Sequence, residues 1–353
     1  PPSTNMTLPF RTVEELDVEG RRVLVRVDFN VPRADDGRIL DDTRIQAALP
    51  TINHLRERQA RIILCSHLGR PGGVKNDEMS LMHVGERLAE LIGDEIIFPE
   101  DCIDDAPHKL SRGMRDGQVM LLENLRFHEG ETANDQNFSE SLARLADIYV
   151  GDAFGACHRA HASVDVLARA FRDRGAGFLV VRELEMLSRL MNKPERPFLI
   201  AMGGAKVKDK LPLIRNLLPR IDTLVLGGAL AYTFLKALGH PVGRSRVEDS
   251  CLEKASDILA RAKAQGVKVL LPEDHVVADE IKANTTYQVV TRANVPENSI
   301  AVDIGPKTRG AIREATLAAR TIFWNGPMGV FEVEAFAEGT RQVAQAVASA
   351  SAT

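Results

Sequence analysis

Short apolar runs of strand length alternate with longer runs whose apolar residues recur at helical spacing, along nearly the whole chain. That alternation is what most restricts the fold. It predicts parallel sheets covered by helices on both faces, an α/β protein. In the first half, strands are expected at Val23–Phe29, Arg61–Ser66, Glu95–Pro99, Gln118–Leu122 and from Asp147 to Val150. A loop holding Asp35, Asp36 and Gly37 follows the first of them. Helices are expected around Ile45, Leu49, Ile52 and Leu55, with Asp42 or Thr43 as N-cap, around Val84, Leu88, Leu91 and Ile92, and around Phe138, Leu142, Leu145 and Ala146. Leu184, Leu187 and Met191 mark a helix from about Arg182 to Asn192, ended by Pro194 and Pro197. The second half repeats the pattern, with strands at Phe198–Ala201, Thr223–Leu226, Val267–Leu271 and Thr321–Trp324, and a last helix marked by Phe336, Val343 and Val347. At 353 residues the chain is long for one core. The expected division is a domain of residues 1–181, a connecting helix of 182–196 and a domain of 197–353.

Polar residues collect just past the C-terminal ends of the first-half strands. They are Asp28-Phe29-Asn30, His67-Leu68-Gly69-Arg70, Glu123-Asn124-Leu125-Arg126 and the run from Gly151 to His161. In open α/β sheets that edge is where ligands bind. Gathered there, Arg44, Arg70, Arg126, Arg159, His67 and His158 would surround one crevice, with Asp28 and Asn30 as hydrogen-bonding groups. Arg44 falls in the first turn of a helix, where a cation opposes the helix dipole, so an anion is expected to hold it. The net charge of −4 gives no general reason to expect a nucleic-acid or membrane partner. Four arginines at strand ends in such a chain therefore read as a site. Arginine binds carboxylate and phosphate bidentately, so a small molecule carrying both groups suits them.

The second half carries a different constellation. Gly203 and Gly204 lie where a strand gives way to an amphipathic run with Leu213, Ile214, Leu217, Leu218 and Ile221. Glycines there let backbone N–H groups approach a ligand, and a helix N-terminus favours an anion. With Lys206, Lys208 and Lys210 close behind, the stretch reads as a phosphate site. It is not a Walker A loop, because the chain has no Gly-Lys dipeptide, and no G-x-G-x-x-G occurs. Gly227 and Gly228 open another helix and suit the approach of an adenine face. Gly305 lies in a turn after a short strand, and Glu332 is the candidate acceptor for a ribose hydroxyl. Trp324 reads as core.

His158 and His161 form an H-x-x-H pair without a third suitable ligand nearby, so zinc ranks below anion binding and no metal-binding residue is assigned. Cys157 reads as a small filler. The four cysteines are far apart and form no C-x-x-C pair, as expected of reduced thiols in a cytosolic protein. No apolar run approaches a membrane span, and the PPSTNM opening has neither the basic start nor the apolar stretch of a signal peptide.

In order along the chain, RVDFNVP, DDTRI, SHLGRP, LENLRFH, DAFGACHRAH, GGAKVKDK, DIGPKT and WNGPMGVFE resemble the motifs of the phosphoglycerate kinase family, from about Leu8 onward. The resemblance implies two doubly wound parallel-sheet, Rossmann-like domains facing each other across a cleft. It implies reversible phosphoryl transfer between 1,3-bisphosphoglycerate and Mg-ADP, giving 3-phosphoglycerate and Mg-ATP in glycolysis. By motif, it implies that Asp28, Phe29, Asn30, Arg44, His67, Leu68, Gly69, Arg70, Arg126 and Arg159 hold the phosphoglycerate. Lys210, Gly305, Asn325 and Glu332 would contact the nucleotide, and Arg44 and Lys206 would meet the migrating phosphoryl group. Mg2+ with ATP or ADP, the small-molecule substrates as sole partners, a monomer and a cytoplasmic location complete the expectation. Ala229 stands where the family often has a third glycine, and Cys157 where it usually has alanine or threonine. The family continues past Thr353 with a G-G-G-D-S/T loop and a final segment, so impaired turnover is an expectation for this chain, with Asp209 the nearest remaining acid. Two rival readings come with it. One is a catalytically disabled binding or scaffold protein on the same fold, and the other a dinucleotide-dependent dehydrogenase, which the missing G-x-G-x-x-G opposes.

Overall fold

The computed structural model describes residues 9–34 and 36–352, so the PPSTNM opening and Asp35 lie outside it. The chain divides into two compact units, Pro1–Leu187 and Ser188–Thr353.

The first unit runs β1 (Arg22–Arg26), α1 (Thr43–Glu57), β2 (Arg61–Cys65), α2 (Met82–Ile92), β3 (Ile96–Ile97), α3 (Asp105–Gly113), β4 (Val119–Leu121), α4 (Glu129–Thr132), α5 (Gln136–Ala143), β5 (Ile148–Gly151), α6 (Val166–Ala170), β6 (Arg174–Ala176) and the first part of α7 (Phe178–Asn192), whose last residues belong to the second unit. Its sheet has the order β3-β4-β2-β1-β5-β6, with every pairing parallel. The chain leaves β1 toward β2 on one side and later reaches β5 on the other, so a topological switch point lies at β1. Alternate strand residues serve opposite faces. Val23, Val25, Ile62 and Leu64 pack with Ile45 and Ile52 of α1 and Val84 and Leu88 of α2. Leu24, Ile63 and Met120 pack with Phe138 and Leu142 of α5 and Leu167 of α6. Apolar burial on both faces is what makes these strands near-continuous apolar runs.

The second unit runs β7 (Phe198–Met202), α8 (Val207–Leu217), β8 (Thr223–Leu226), α9 (Gly228–Ala237), α10 (Leu252–Ala264), β9 (Lys268–Leu270), β10 (Asp274–Ala278), β11 (Tyr287–Thr291), β12 (Ile300–Ile304), α11 (Pro306–Ala318), β13 (Thr321–Asn325) and α12 (Glu338–Ser349). A parallel sheet has the order β13-β7-β8-β9. Phe198, Ile200 and Met202 face α8, α9 and α10, while Leu199 and Ala201 face α11 and α12.

The expected alternation fails where α5 follows α4 and α10 follows α9 without a strand between, and where strands run in succession. β10, β11 and β12 follow one another without an α-helix and form a separate antiparallel sheet, β11-β10-β12. β11 is almost wholly exposed, so it lacks the apolar run that marks the buried strands. Helix α3 escaped the periodicity because its buried residues are Pro107 and Ser111. α7 begins at Phe178, four residues before the expected start, and only Val180 on it is buried. Leu213 of α8 is an exposed position, and the buried face is Val207, Leu211, Ile214 and Leu217. Leu145 and Ala146 lie beyond α5, and Phe336 sits in a short 3-10 turn ahead of α12.

Candidate active site

In the first unit the groups past the strand ends are knitted together by their own hydrogen bonds. Asn30 Oδ1 accepts from the Gly69 amide at 2.8 Å, and the Gly69 carbonyl accepts from Arg126 Nη1 at 2.7 Å. Gly69 has φ +61°, the left-handed region where a side chain would be strained. Asn124 braces the same turn, with its Nδ2 donating to the Leu68 carbonyl at 2.8 Å and its Oδ1 accepting from the Leu68 amide at 3.2 Å. Phe29 and Leu68 bury their side chains in the core, and the Phe29 amide donates to Ser66 Oγ at 2.9 Å. These two residues shape the loops from below.

Three of the four expected arginines come together. Arg70, Arg126 and Arg159 line one pocket of about 500 Å3, with Gly72, Gly73, Thr132 and His161. Among the described residues none of the three forms an ion pair. Burial, reinforced by the neighbouring Arg159 and Arg26 charges and only partly opposed by Glu131, lowers the pKa of Arg126. Arg44 is not among the residues lining this pocket. It sits in the first turn of α1, as expected, and the anion holding it is Asp28, whose Oδ2 lies 2.8 Å from Arg44 Nη1. Asp42 is the N-cap of α1, but its carboxylate is spent on Gln46 and Arg87, and Asp41 Oδ1 accepts from the Thr43 amide instead.

His67 is buried beside this pocket. Burial first, then the Arg26, Arg126 and Arg159 charges, drive its pKa down to about 2, so the imidazole is neutral. Arg26 Nη2 lies 3.0 Å from His67 Nδ1. Guanidinium can only donate, so Nδ1 accepts and the proton sits on Nε2. His161, not His158, lines the pocket. Neither histidine lies on a helix, and His161 Nδ1 is 4.0 Å from Glu131 Oε1. Sequence reasoning missed Arg26, Glu131 and Ser163 beneath the site. The available signal was a charge inside an apolar strand, Arg26 in VLVRV.

In the second unit, three glycine loops pack on one another. Gly203 donates to the Asn325 carbonyl at 2.9 Å, Gly204 to Pro327 at 2.8 Å, Gly227 to Met202 at 2.9 Å and Gly228 to Met328 at 2.8 Å. These amides were expected to face a ligand, but the chain itself uses them. A Cβ on Gly203 or Gly228 would overlap the backbone of Pro327 or Gly204. The glycines thus permit loop-on-loop contact first. Lys210 Nζ donates to the carbonyls of Gly203 and Asn325, and desolvation lowers its pKa. Lys206, the N-cap of α8, is exposed and has no ion pair among the described residues. Lys208 lines a separate hollow with Arg215 and Lys254. Gly305 is buried, and its amide donates to the Asp274 carbonyl at 2.9 Å. Asp274 also caps α11 from the neighbouring strand, accepting from the amides of Lys307 and Thr308 at 2.8 Å each. Asn325 and Glu332 are exposed. Trp324 packs against the inner core cluster as expected, its Nε1 donating to the Gly326 carbonyl at 2.8 Å.

Asp101, Cys102 and His128 bring three metal-type ligand atoms within 4.8 Å of one another. Asp101 Oδ1 is already engaged by His128 Nε2 at 2.6 Å and by the Cys102 amide, and burial raises the Cys102 thiol pKa well above its usual range. Cys157 gives its thiol to the Ala153 carbonyl at 3.2 Å, and desolvation raises its pKa too, which leaves it unactivated.

The family model described as phosphoglycerate kinase matches residues 13–353. The phosphoglycerate kinase of Anaeromyxobacter sp. (strain K) is 49% identical over 347 residues, which cover 98% of this chain and 88% of that protein. That of Clostridium novyi (strain NT) is 48% identical over 350 residues, 99% of this chain and 88% of that protein. Among solved structures, the phosphoglycerate kinase of Coxiella burnetii superposes with a TM-score of 0.82 at 39% identity, covering 98% of this chain and 87% of that one. That of Pyrococcus horikoshii OT3 gives 0.84 at 30% identity, covering 97% and 87%. With the motifs in order, the arginine pocket in one unit and the glycine–lysine loops in the other, the chain belongs to the phosphoglycerate kinase family.

Proposed function

We propose the residue roles by which this chain carries out its family's reaction. The chain is a phosphotransferase with a carboxyl group as acceptor. It moves a phosphoryl group reversibly between 1,3-bisphosphoglycerate and ADP, giving 3-phosphoglycerate and ATP. The observation that carries the assignment of the acid site is the pocket where Arg70, Arg126 and Arg159 converge, with no ion pair to any of them among the described residues. Three guanidinium groups without counter-ions call for a ligand with several negative charges. Arg70, Arg126 and Arg159 take the phosphate end of phosphoglycerate. His67, neutral and protonated on Nε2, is a hydrogen-bond donor that adds no charge. Asp28, Asn30 and the Phe29 and Leu68-Gly69 backbone set the walls.

In the second unit Lys210, Gly305, Asn325 and Glu332 hold the nucleotide. Lys206, exposed and without an ion pair among the described residues, reaches the transferred group. Arg44, paired with Asp28 at 2.8 Å, is the first unit's cation for the transferred group. In the forward direction a β-phosphate oxygen of ADP attacks the acyl phosphate, and the carboxylate leaves with the electrons of the broken P–O bond. In flight the phosphoryl group spreads charge over its equatorial oxygens, so catalysis is positioning plus cations, and no proton need be removed from the carboxylate. Mg2+ bound with the nucleotide would neutralise phosphate oxygens and would take hard oxygen ligands. The exposed Asp209, in the first turn of α8, is the nearest acid in sequence to the lysine loop, and no residue of this chain is assigned as a metal ligand. Residues 1–181 form the acid-binding domain, 182–196 the connection and 197–353 the nucleotide-binding domain. The enzyme works as a monomer, and in the cytoplasm, where four free cysteines stay reduced.

Calorimetric titration with 3-phosphoglycerate, paired with a coupled ATP assay, tests the assignment. Arg70→Ala should weaken 3-phosphoglycerate about ten- to hundredfold, the worth of a charged hydrogen-bond pair, while ATP affinity stays put. Equal binding by the variant would remove Arg70 from the site, and absence of turnover in the intact chain would leave a binding protein only.

A further inference from the structure

Beneath the arginine pocket lies a buried polar cluster that the reaction as described does not use. Glu131 of α4 is wholly buried. Its Oε1 accepts from Ser163 Oγ at 2.7 Å and its Oε2 from the Ser163 amide at 2.9 Å. Oε1 also lies 4.0 Å from Arg26 Nη2 and 4.0 Å from His161 Nδ1. Arg26, 1% exposed, donates from Nε to Ser163 Oγ at 2.7 Å and from Nη2 to His67 Nδ1. The hydroxyl of Ser163 therefore receives from Arg26 and gives to Glu131, so its proton has one direction. The Glu131 carbonyl accepts from the Ala162 amide at 2.8 Å, locking α4 to the same loop.

Taking two charges out of water is costly, and packed apolar side chains of similar volume are often as stable or more so. Stability alone gives no reason for this pair. Its connections supply one. α4 follows directly on the turn that carries Arg126, Ser163 ends the loop that carries Arg159 and His161, and Arg26 ends β1 against His67.

We infer that Glu131 is a positioning residue for the phosphoglycerate site, a single buried carboxylate that holds the Arg126 turn, the Arg159–His161 loop and His67 in register. It touches no ligand. It keeps two arginine-bearing segments and His67 at fixed spacing, and through Arg26 it keeps His67 in the tautomer that donates from Nε2. This rests on the acid-site reading above.

The test uses Glu131→Gln, Ser163→Ala and the charge-balanced double variant Arg26→Met/Glu131→Gln. Calorimetry with 3-phosphoglycerate and with Mg-ATP at low temperature is combined with KM for each substrate. Glu131→Gln should raise Kd and KM for 3-phosphoglycerate about ten- to hundredfold and leave both constants for ATP within twofold. Ser163→Ala, which keeps both charges, should move the same constants in the same direction by less. Should Glu131→Gln fold poorly, the double variant, which buries no unpaired charge, should recover melting temperature without recovering 3-phosphoglycerate affinity. A merely structural role would lower the active fraction while leaving both KM values alone, or weaken both ligands together, and either result overturns the inference. So does parental affinity in the double variant. If the parent binds 3-phosphoglycerate and Arg70→Ala does not weaken it, the site reading itself falls, and this inference with it.

Discussion

At the scale of single residues, the buried histidines make stability depend on pH. His67 keeps its neutral form down to about 2, through burial and then the Arg26 charge, and His275 down to about 4, through burial and then Arg292. The unfolded chain protonates both near 6.5. The folded pKa is the lower one, so below 6.5 the unfolded state binds more protons and acid destabilises, by about 1.4 kcal/mol per pH unit for each histidine. Asp303 works the other way. Burial raises its pKa from 3.8 to about 6, so the folded state gains as pH falls through that interval and offsets about one histidine. Urea midpoints should therefore fall between pH 7 and 5. In His275→Gln, which keeps a hydrogen-bonding partner for Tyr232, the fall should be shallower by about 1.4 kcal/mol per unit. An unchanged slope would mean that His275 is not held neutral. Arg44 could be placed in a helix first turn from sequence, but its partner could not, because Asp28 lies 16 residues away and only folding brings them to 2.8 Å.

At the scale of elements, the glycine loops at the ends of β7, β8 and β13 are a packing device before they are a ligand device. Gly228 has φ +58°, and a Cβ there would meet the backbone of Gly204 and Pro327, which has no side-chain freedom with which to yield. Gly228→Ala should cost about 3 kcal/mol or more in chemical denaturation. Gly239, past the end of the same helix at φ +81°, faces open space, so Gly239→Ala should cost only about 1 kcal/mol. Similar losses at both positions would refute the packing account. The N-terminus of α11 has a glycine cap with no side chain, and Asp274 serves from β10 in its place. Asp274→Ala should cost about 2 kcal/mol, the upper range for a lost cap, and raise KM for ATP while KM for 3-phosphoglycerate holds, because Gly305 rides on that turn. Equal KM values for ATP would detach Gly305 from the nucleotide.

At the scale of the whole molecule, two units with separate cores bind separate ligands in the proposed reaction. Binding to the folded state protects what it touches. In amide exchange, 3-phosphoglycerate should slow the segments around 67–73, 126–132 and 157–163. Mg-ATP should slow those around 203–210 and 325–332. Protection of the first set by Mg-ATP alone would contradict the division of labour.

The sequence alone determined most strands and helices, the side of the sheet on which the polar residues gather, and which residue types gather there. Buried parallel strands must be apolar on both faces, and helices must carry an apolar stripe, so those elements announce themselves. Motif order carried the family. What had no such signature was left to tertiary structure. The exposed β11 and the polar-bottomed α3 bury too little apolar surface to show a period. The division of labour among the glycine amides, the hollow that Lys208 lines with Arg215 and Lys254, and the Glu131–Arg26 cluster beneath the arginines all depend on contacts between residues distant along the chain. Hydrogen bonds and desolvation act through space, and no local pattern encodes them.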